Sequence, residues 1–252
     1  MEGFDGERLM ASNVVHLGGL VDEEAAREAC DGVWTWLEER SIRRDDRGSW
    51  PDGGVYGLQT LTRRRVVDRC ESERLLAVVD AIVGPARSPL DSEWQILVTF
   101  PQAEPWHLPH KVWHLDVAAS GDPTAHSVAR VFILLDDIQP CGGGTMFVDG
   151  SSAMVRRWMT DAPGHDAGRS SELKRSFQRS YDWYRALMTE GAPDREERLL
   201  HGETVDGVPT RVVELTGAAG DVWVMDQWTM HAASINASDR PRLMASKWFH
   251  RS

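Results

Sequence analysis

From Trp94 onward the chain repeats one device, and that device limits the fold more than any other feature. Trp94–Phe100, Val128–Ile138, Thr145–Val148, Arg211–Leu215, Asp221–Met230 and Arg242–Phe249 are short β-branched or aromatic runs bounded by Gly, Pro, Asn or Asp. Several such strands without alternating helices predict antiparallel sheets, which escape exposed edges by closing into a barrel, sandwich or jelly roll. The change of character falls after Asp91.

Ahead of it lie two helical patterns. Between Asp22 and Arg40 the apolar residues Ala26, Ala29, Val33 and Leu37 share one helical face, with acids in the first turn. A second pattern runs from about Glu71 to Val83 through Leu75, Val78, Val79 and Ile82, and Gly84 supplies a left-handed end. The expected architecture is mainly β with flanking helices: N-terminal helices over 22–83 packed outside a jelly-roll core over 94–252. Leu173, Phe177, Tyr181, Tyr184 and Met188 recur at helical intervals inside 161–207, which reads as a helical, lid-like insertion. No internal repeat and no long linker divides the chain, so one domain over 1–252 is expected.

Charge narrows the partners. Lys+Arg 28 against Asp+Glu 39 gives a net charge of −11, which repels nucleic acid and anionic lipid surfaces. The longest apolar stretch, Val131–Leu135, is far short of the roughly 20 residues of a membrane span, so no membrane partner is expected. The segment MEGFDGERLM carries acids where a secretory leader carries Lys or Arg, and Cys30, Cys70 and Cys141 form neither a disulfide framework nor a C-x-x-C site. The expected location is cytoplasmic. Between Arg156 and Arg185, seven basic residues (Arg156, Arg157, Arg169, Lys174, Arg175, Arg179, Arg185) meet four acids (Asp161, Asp166, Glu172, Asp182), a balance of +3. That is either a solvated helix face or a lid that attracts an anionic or carrier-attached small-molecule substrate.

Chemistry concentrates in His114-Leu115-Asp116, read with His231. In an extended strand alternate side chains share a face, so His114 and Asp116 can hold two neighbouring positions of one metal. With nine histidines in the chain, roughly one H-x-D arises by chance, so the company of the pair matters. A strand and a glycine turn follow it, VARVFILLDDIQPCGGGTMFV, and a later strand introduced by Gly220-Asp221 delivers His231. Two imidazoles and one carboxylate on one face of an octahedron leave three positions open, the arrangement that suits non-haem Fe(II) and O2 activation. Eleven residues on, Arg242 offers a guanidinium fork for a carboxylate. Arg242, Met244, Ser246 and Trp248 share one face of that strand and Leu243, Ala245, Lys247 and Phe249 the other; which of them is interior stays open. Arg240, before Pro241 in a turn, competes with Arg242 but is expected to face water.

With H-L-D at His114 to Asp116, FILLDDIQPCGGGTMFVDGSS, and GDVWVMDQWTMHAASINASDRPR carrying His231, Asn236 and Arg242, the chain resembles the Fe(II)/2-oxoglutarate-dependent dioxygenases of the phytanoyl-CoA dioxygenase family. The resemblance covers Trp94 to the C-terminus. It implies a double-stranded β-helix, metal ligation by His114, Asp116 and His231, and binding of the distal 2-oxoglutarate carboxylate by Arg242. Gln95 stands on a strand that in this family carries a glutamine reaching the cosubstrate, and Thr145, after Gly142-Gly143-Gly144, is a further candidate contact. The implied cofactors are Fe(II), 2-oxoglutarate as cosubstrate, and O2. The implied reaction yields succinate, CO2 and an oxidant that takes hydrogen from an unactivated C–H bond of a small molecule, usually ending in hydroxylation. Two departures matter. Asp149-Gly150-Ser151-Ser152 replaces the family's Pro-Gly-Ser-His, which bears on substrate class. Asp116 is an acid where related halogenases have none, which speaks against halogenation.

Two other readings remain at this point: a cupin-like metal enzyme without 2-oxoglutarate, and a non-catalytic jelly-roll module. His107, His110 and His114 lack the glutamate of H-E-x-x-H, so a separate zinc site is not expected. Trp113 and Trp228 are read as core residues with bonded N–H groups. The glycine run lacks the Gly-Lys-Ser/Thr ending of a phosphate loop.

Overall fold

A computed structural model describes residues 13–84, 93–119, 121–125, 128–161 and 170–251. The segment MEGFDGERLM, Asp91, and the Asp166 and Arg169 of the basic stretch lie outside the described residues. In chain order the elements are β1 (Val14–Leu17), α1 (Glu23–Glu38), α2 (Gln59–Arg63), α3 (Glu73–Val83), β2 (Gln95–Thr99), β3 (Val128–Leu134), β4 (Met146–Asp149), α4 (Ser151–Asp161), α5 (Ser170–Ser180), α6 (Asp182–Leu187), α7 (Arg195–His201), β5 (Glu203–Val205), β6 (Val208–Glu214), β7 (Val222–Asp226), β8 (His231–Ala232) and β9 (Arg242–His250). The strands form two sheets, β1-β7-β3-β9-β2 and β5-β6-β4-β8. All the described pairings are antiparallel, as the mainly β, jelly-roll reading expects.

Side-chain alternation along each strand assigns the layers. On the outer face of the larger sheet Ile96, Val98, Val131, Ile133, Val224, Leu243 and Ala245 pack against Ala26, Ala29, Val33 and Leu37 of α1 and Leu75 and Val79 of α3. Each fully buried Val, Leu or Ile there contributes about 1.5–3 kcal/mol relative to exposure. The helices start where their caps allow: Asp22 accepts from Ala25 N at 3.2 Å, Ser72 accepts from Leu75 N at 3.2 Å, and α3 stops at Gly84 with φ +97°. On the inner face Phe132, Trp223 and Met244 meet Phe147 of the smaller sheet and Leu215 just past β6. Ring centroids of Phe132 and Phe147 are 5.7 Å apart. The smaller sheet turns Met146, Val148, Val212 and Ala232 outward to Leu173, Phe177, Trp183, Tyr184 and Leu199 of the inserted helices.

Several boundaries differ from the sequence reading, each for a local reason. β1 pairs with β7 although it precedes the helices, so the sheet is not confined to 94–252; four residues carry too little alternation to be read. The run expected to continue to Met230 stops at Asp226. Its Oδ1 accepts from Trp228 N at 3.0 Å and its carbonyl from Thr229 N at 3.0 Å, a side-chain-closed turn that ends β7. His231 therefore sits on β8, a separate strand in the other sheet, and not on the strand introduced by Gly220-Asp221. The insertion's helical phase breaks at Tyr181, which is extended (φ −132°, ψ 122°), giving α5 and α6 where one stripe was expected. Helix begins earlier than 161, at Ser151, and β5 closes the segment. The glycine run serves packing: a Cβ on Gly144 would lie 2.0 Å from the Leu215 carbonyl oxygen.

Candidate metal centre

His231 pairs with Phe147 across β4 and β8, so its ring faces the interior alongside that phenylalanine. His114 is held to it by an antiparallel bridge with both N–H···O bonds at 3.0 Å, and the two imidazole centroids stand 4.4 Å apart. The expected strand through His114-Leu115-Asp116 is thus a single bridge followed by a bend at Asp116. The geometry inferred from alternation still results. His114 Nε2 lies 3.3 Å from Asp116 Oδ1 and His231 Nε2 lies 3.2 Å from Asp116 Oδ2. One ligand atom from each of the three residues falls within 4.8 Å of the others, and no other such group of three occurs among the described residues.

The outward nitrogens are spoken for. His114 Nδ1 is 2.8 Å from the Val112 carbonyl and His231 Nδ1 is 3.0 Å from the Thr229 carbonyl. Both Nε2 atoms point at the shared space: a neutral ring that donates Nδ1–H to a carbonyl would present its Nε2 lone pair to an ion there, whereas a ring protonated on both nitrogens donates Nε2–H to Asp116. Burial alone would raise the Asp116 carboxyl, but hydrogen bonds from His114 and His231 and the charge of Arg130 hold it far below the usual carboxylate range. The bond to Asp116 raises His114. Two imidazole nitrogens with one hard carboxylate, and no thiolate, are a donor set that fits Fe(II); Cys30 and Cys70 are buried beneath the helices instead.

Arg242 opens β9 opposite Thr99 of β2, on the face that turns out to be the barrel interior. Its Nη2 donates to Thr99 Oγ1 at 2.5 Å, its Nη1 approaches Met244 Sδ at 3.8 Å, and its Nε has no partner. No carboxylate among the described residues pairs with it, and burial pulls its pKa down to about 10. A guanidinium so placed is costly unless an anion joins it. Asn236 fixes the strand next to it, donating from Nδ2 to the Thr99 carbonyl at 3.0 Å and the Arg240 carbonyl at 2.8 Å. Arg240 itself is exposed, as expected.

Gln95 lies opposite Ser246 on the same inner face and reaches the triad through Arg130, whose Nη2 donates to Gln95 Oε1 at 3.4 Å. Thr145 is buried just ahead of β4 and its carbonyl accepts from Leu215 N at 2.9 Å; no side-chain hydrogen bond joins it to the triad among the described residues. Sequence reasoning missed Arg130, the ion-pair partner of Asp116. The signal was available: it is the only charge in VARVFILL, a run otherwise fit for burial.

The remaining expectations resolve around the site. Trp113 and Trp228 are core residues whose Nε1 atoms donate to the carbonyls of Pro109 at 2.8 Å and Ala118 at 3.1 Å. His107 and His110 face Glu104 at 3.2 Å and Glu190 at 3.5 Å and form no cluster with the triad. Much of the basic stretch is committed internally. Arg156 pairs with Asp226 at 2.6 Å, Arg157 with Asp206 at 2.8 Å, and Lys174 donates to the Trp113 carbonyl at 2.8 Å, directly beside His114.

The phytanoyl-CoA dioxygenase (PhyH) family model matches residues 14–244. No match was found among curated proteins. Solved structures share the fold. The epimerase SnoN, in complex with Fe3+, alpha-ketoglutarate and nogalamycin RO, is 18% identical with a TM-score of 0.59 over 98% of this chain and 82% of that one. The non-heme monooxygenase ThoJ, as its Ni complex, is 17% identical with a TM-score of 0.56 over 98% and 77%. HygX from Streptomyces hygroscopicus, with nickel and 2-oxoglutarate bound, is 14% identical with a TM-score of 0.51 over 98% and 86%.

Proposed function

The chain belongs to the phytanoyl-CoA dioxygenase family, and from that premise we propose that it is a non-haem iron, 2-oxoglutarate-dependent oxygenase that attacks a C–H bond of a small molecule, usually hydroxylating it. The observation that carries the reading is the pair of imidazoles whose Nδ1 atoms are turned to carbonyls while both Nε2 atoms flank the Asp116 carboxylate, at 3.3 and 3.2 Å. His114, Asp116 and His231 would hold Fe(II) by one face. When bound, the metal supplies oxidation, using 2-oxoglutarate and O2 as co-reactants and releasing succinate and CO2.

The chain's own part is placement. Arg242 takes the distal carboxylate of the cosubstrate, its fork oriented by Thr99 Oγ1. Phe132, Phe147, Trp223 and Met244 pack together in the interior and give the site an apolar floor beside His231. Gln95 stays a candidate polar contact toward the cosubstrate through its link to Arg130, and Thr145, buried just ahead of β4, a further candidate contact. The described residues act as one catalytic domain, with α4 to α7 as the element that shapes substrate access. SnoN's complex with nogalamycin RO favours a natural-product-like substrate for this chain too.

Anaerobic titration with Fe(II) and 2-oxoglutarate tests the class: a metal-to-ligand charge-transfer band is expected in the wild type and lost in His114→Ala, and its absence from the wild type overturns the reading. A cupin-like enzyme without 2-oxoglutarate, or a binding module, would show neither band nor succinate. Product analysis under 18O2 tests the outcome, since hydroxylation places one labelled atom in product and epimerisation none.

A further inference from the structure

Asp116 belongs to no strand of either sheet. The segment that carries it is attached to the smaller sheet through the His114–His231 bridge and bends immediately afterwards. What reaches the carboxylate from the opposite wall is Arg130 of β3, in the larger sheet. Its Nη1 pairs with Asp116 Oδ2. Its Nη2 donates to Ser246 Oγ at 3.0 Å and to Gln95 Oε1 at 3.4 Å, and its Nε to the same Ser246 oxygen at 3.3 Å. The guanidinium carbon stands 5.0 Å from the Phe132 ring centroid and 5.3 Å from that of Trp248. Anchored on two neighbouring strands, the fork has little freedom left, and its remaining strong contact is Asp116.

We propose that Arg130 is a positioning residue for the metal centre: a brace across the barrel that occupies one oxygen of Asp116 and presents the other to the ion. The inference rests on the triad reading above and adds a consequence to it. An ion with six positions that takes two imidazoles and one carboxylate oxygen keeps three positions free. A chelating 2-oxo acid would take two of them and leave one. A carboxylate free to rotate and bind through both oxygens would take that third position, and the Arg130 brace prevents it. Lys at this position would keep the charge but lose the planar fork that joins Asp116 to Ser246 and Gln95 together.

The test is Mn(II) binding to the purified protein, followed by calorimetry and by the Mn(II) EPR signal, in wild type, Arg130→Met, Arg130→Lys and Ser246→Ala. Loss of an outer partner of a ligand weakens metal binding by about 10- to 100-fold, and that is expected for Arg130→Met. Arg130→Lys should recover part of the loss, and Ser246→Ala should show a smaller loss in the same direction. Binding in Arg130→Met as tight as wild type, or tighter, overturns the brace, because a cation that merely repelled the ion would give that result. Should Arg130→Met fail to fold, Ser246→Ala and Gln95→Ala carry the test, and unchanged Mn(II) affinity in both overturns it. A wild type that binds no Mn(II) defeats the triad reading itself, whereas a wild type that binds alongside an unaffected Arg130→Met defeats the brace alone.

Discussion

The two faces of the larger sheet come from the same strands and differ in almost every property. One face, Ile96, Val98, Val131, Ile133, Val224, Leu243 and Ala245, is apolar and covered by helices, and the charge it carries, Lys247, is paired with Glu71 at 2.9 Å. The other interleaves Phe132, Trp223 and Met244 with Gln95, Thr99, Arg130, Arg242 and Ser246. Alternation lets one strand serve both ends at once: one set of alternate positions holds the fold together while the other places charges that the fold on its own would be better without. Substitutions on the two faces should therefore move different observables.

The largest effect is expected inside. His114→Ala, which removes a half-exposed ring, should abolish stoichiometric metal binding and the charge-transfer band while leaving the melting temperature near wild type; retained binding would show that the triad is not the site. Next comes the outer face. Leu243→Ala empties a fully buried position and should cost about 2–5 kcal/mol in denaturant unfolding, with 2-oxoglutarate affinity of the folded protein unchanged. Arg242→Met, one residue away, should do the reverse. Losing the charged hydrogen bonds to the cosubstrate costs about 1.5–3 kcal/mol of binding, roughly 10- to 100-fold. Stability should stay level or rise, because an uncompensated buried cation is gone. A large loss of stability in Arg242→Met would break the comparison. The smallest effect belongs to the helical layer: Asp22→Ala removes the α1 cap bond and should cost about 1 kcal/mol of stability, without any change at the site.

The contrast also explains what could be read from the sequence. Strand existence and the closed antiparallel class were legible because alternation is local, and the helices under the sheet because their apolar stripes and caps, Asp22 and Gly84, are local too. Which face of β9 is interior was not legible, since both faces are buried, one by helices and one by the other sheet. The position of His231 was misread by one element because the Asp226 side chain closes a turn inside an apolar run. Arg130 escaped notice for a different reason: its partners Asp116, Gln95 and Ser246 are 14, 35 and 116 residues away along the chain. Metal-ligand types announce themselves by spacing, whereas a brace is defined only by what the fold brings to it.

Diffraction from crystals equilibrated anaerobically with Mn(II) and 2-oxoglutarate, measured for anomalous scattering, tests the central claim most directly. One strong peak is expected within direct bonding distance of His114 Nε2, of His231 Nε2 and of a single oxygen of Asp116, with a cosubstrate carboxylate on Arg242. A peak elsewhere, or imidazoles that meet the ion through Nδ1, would contradict it.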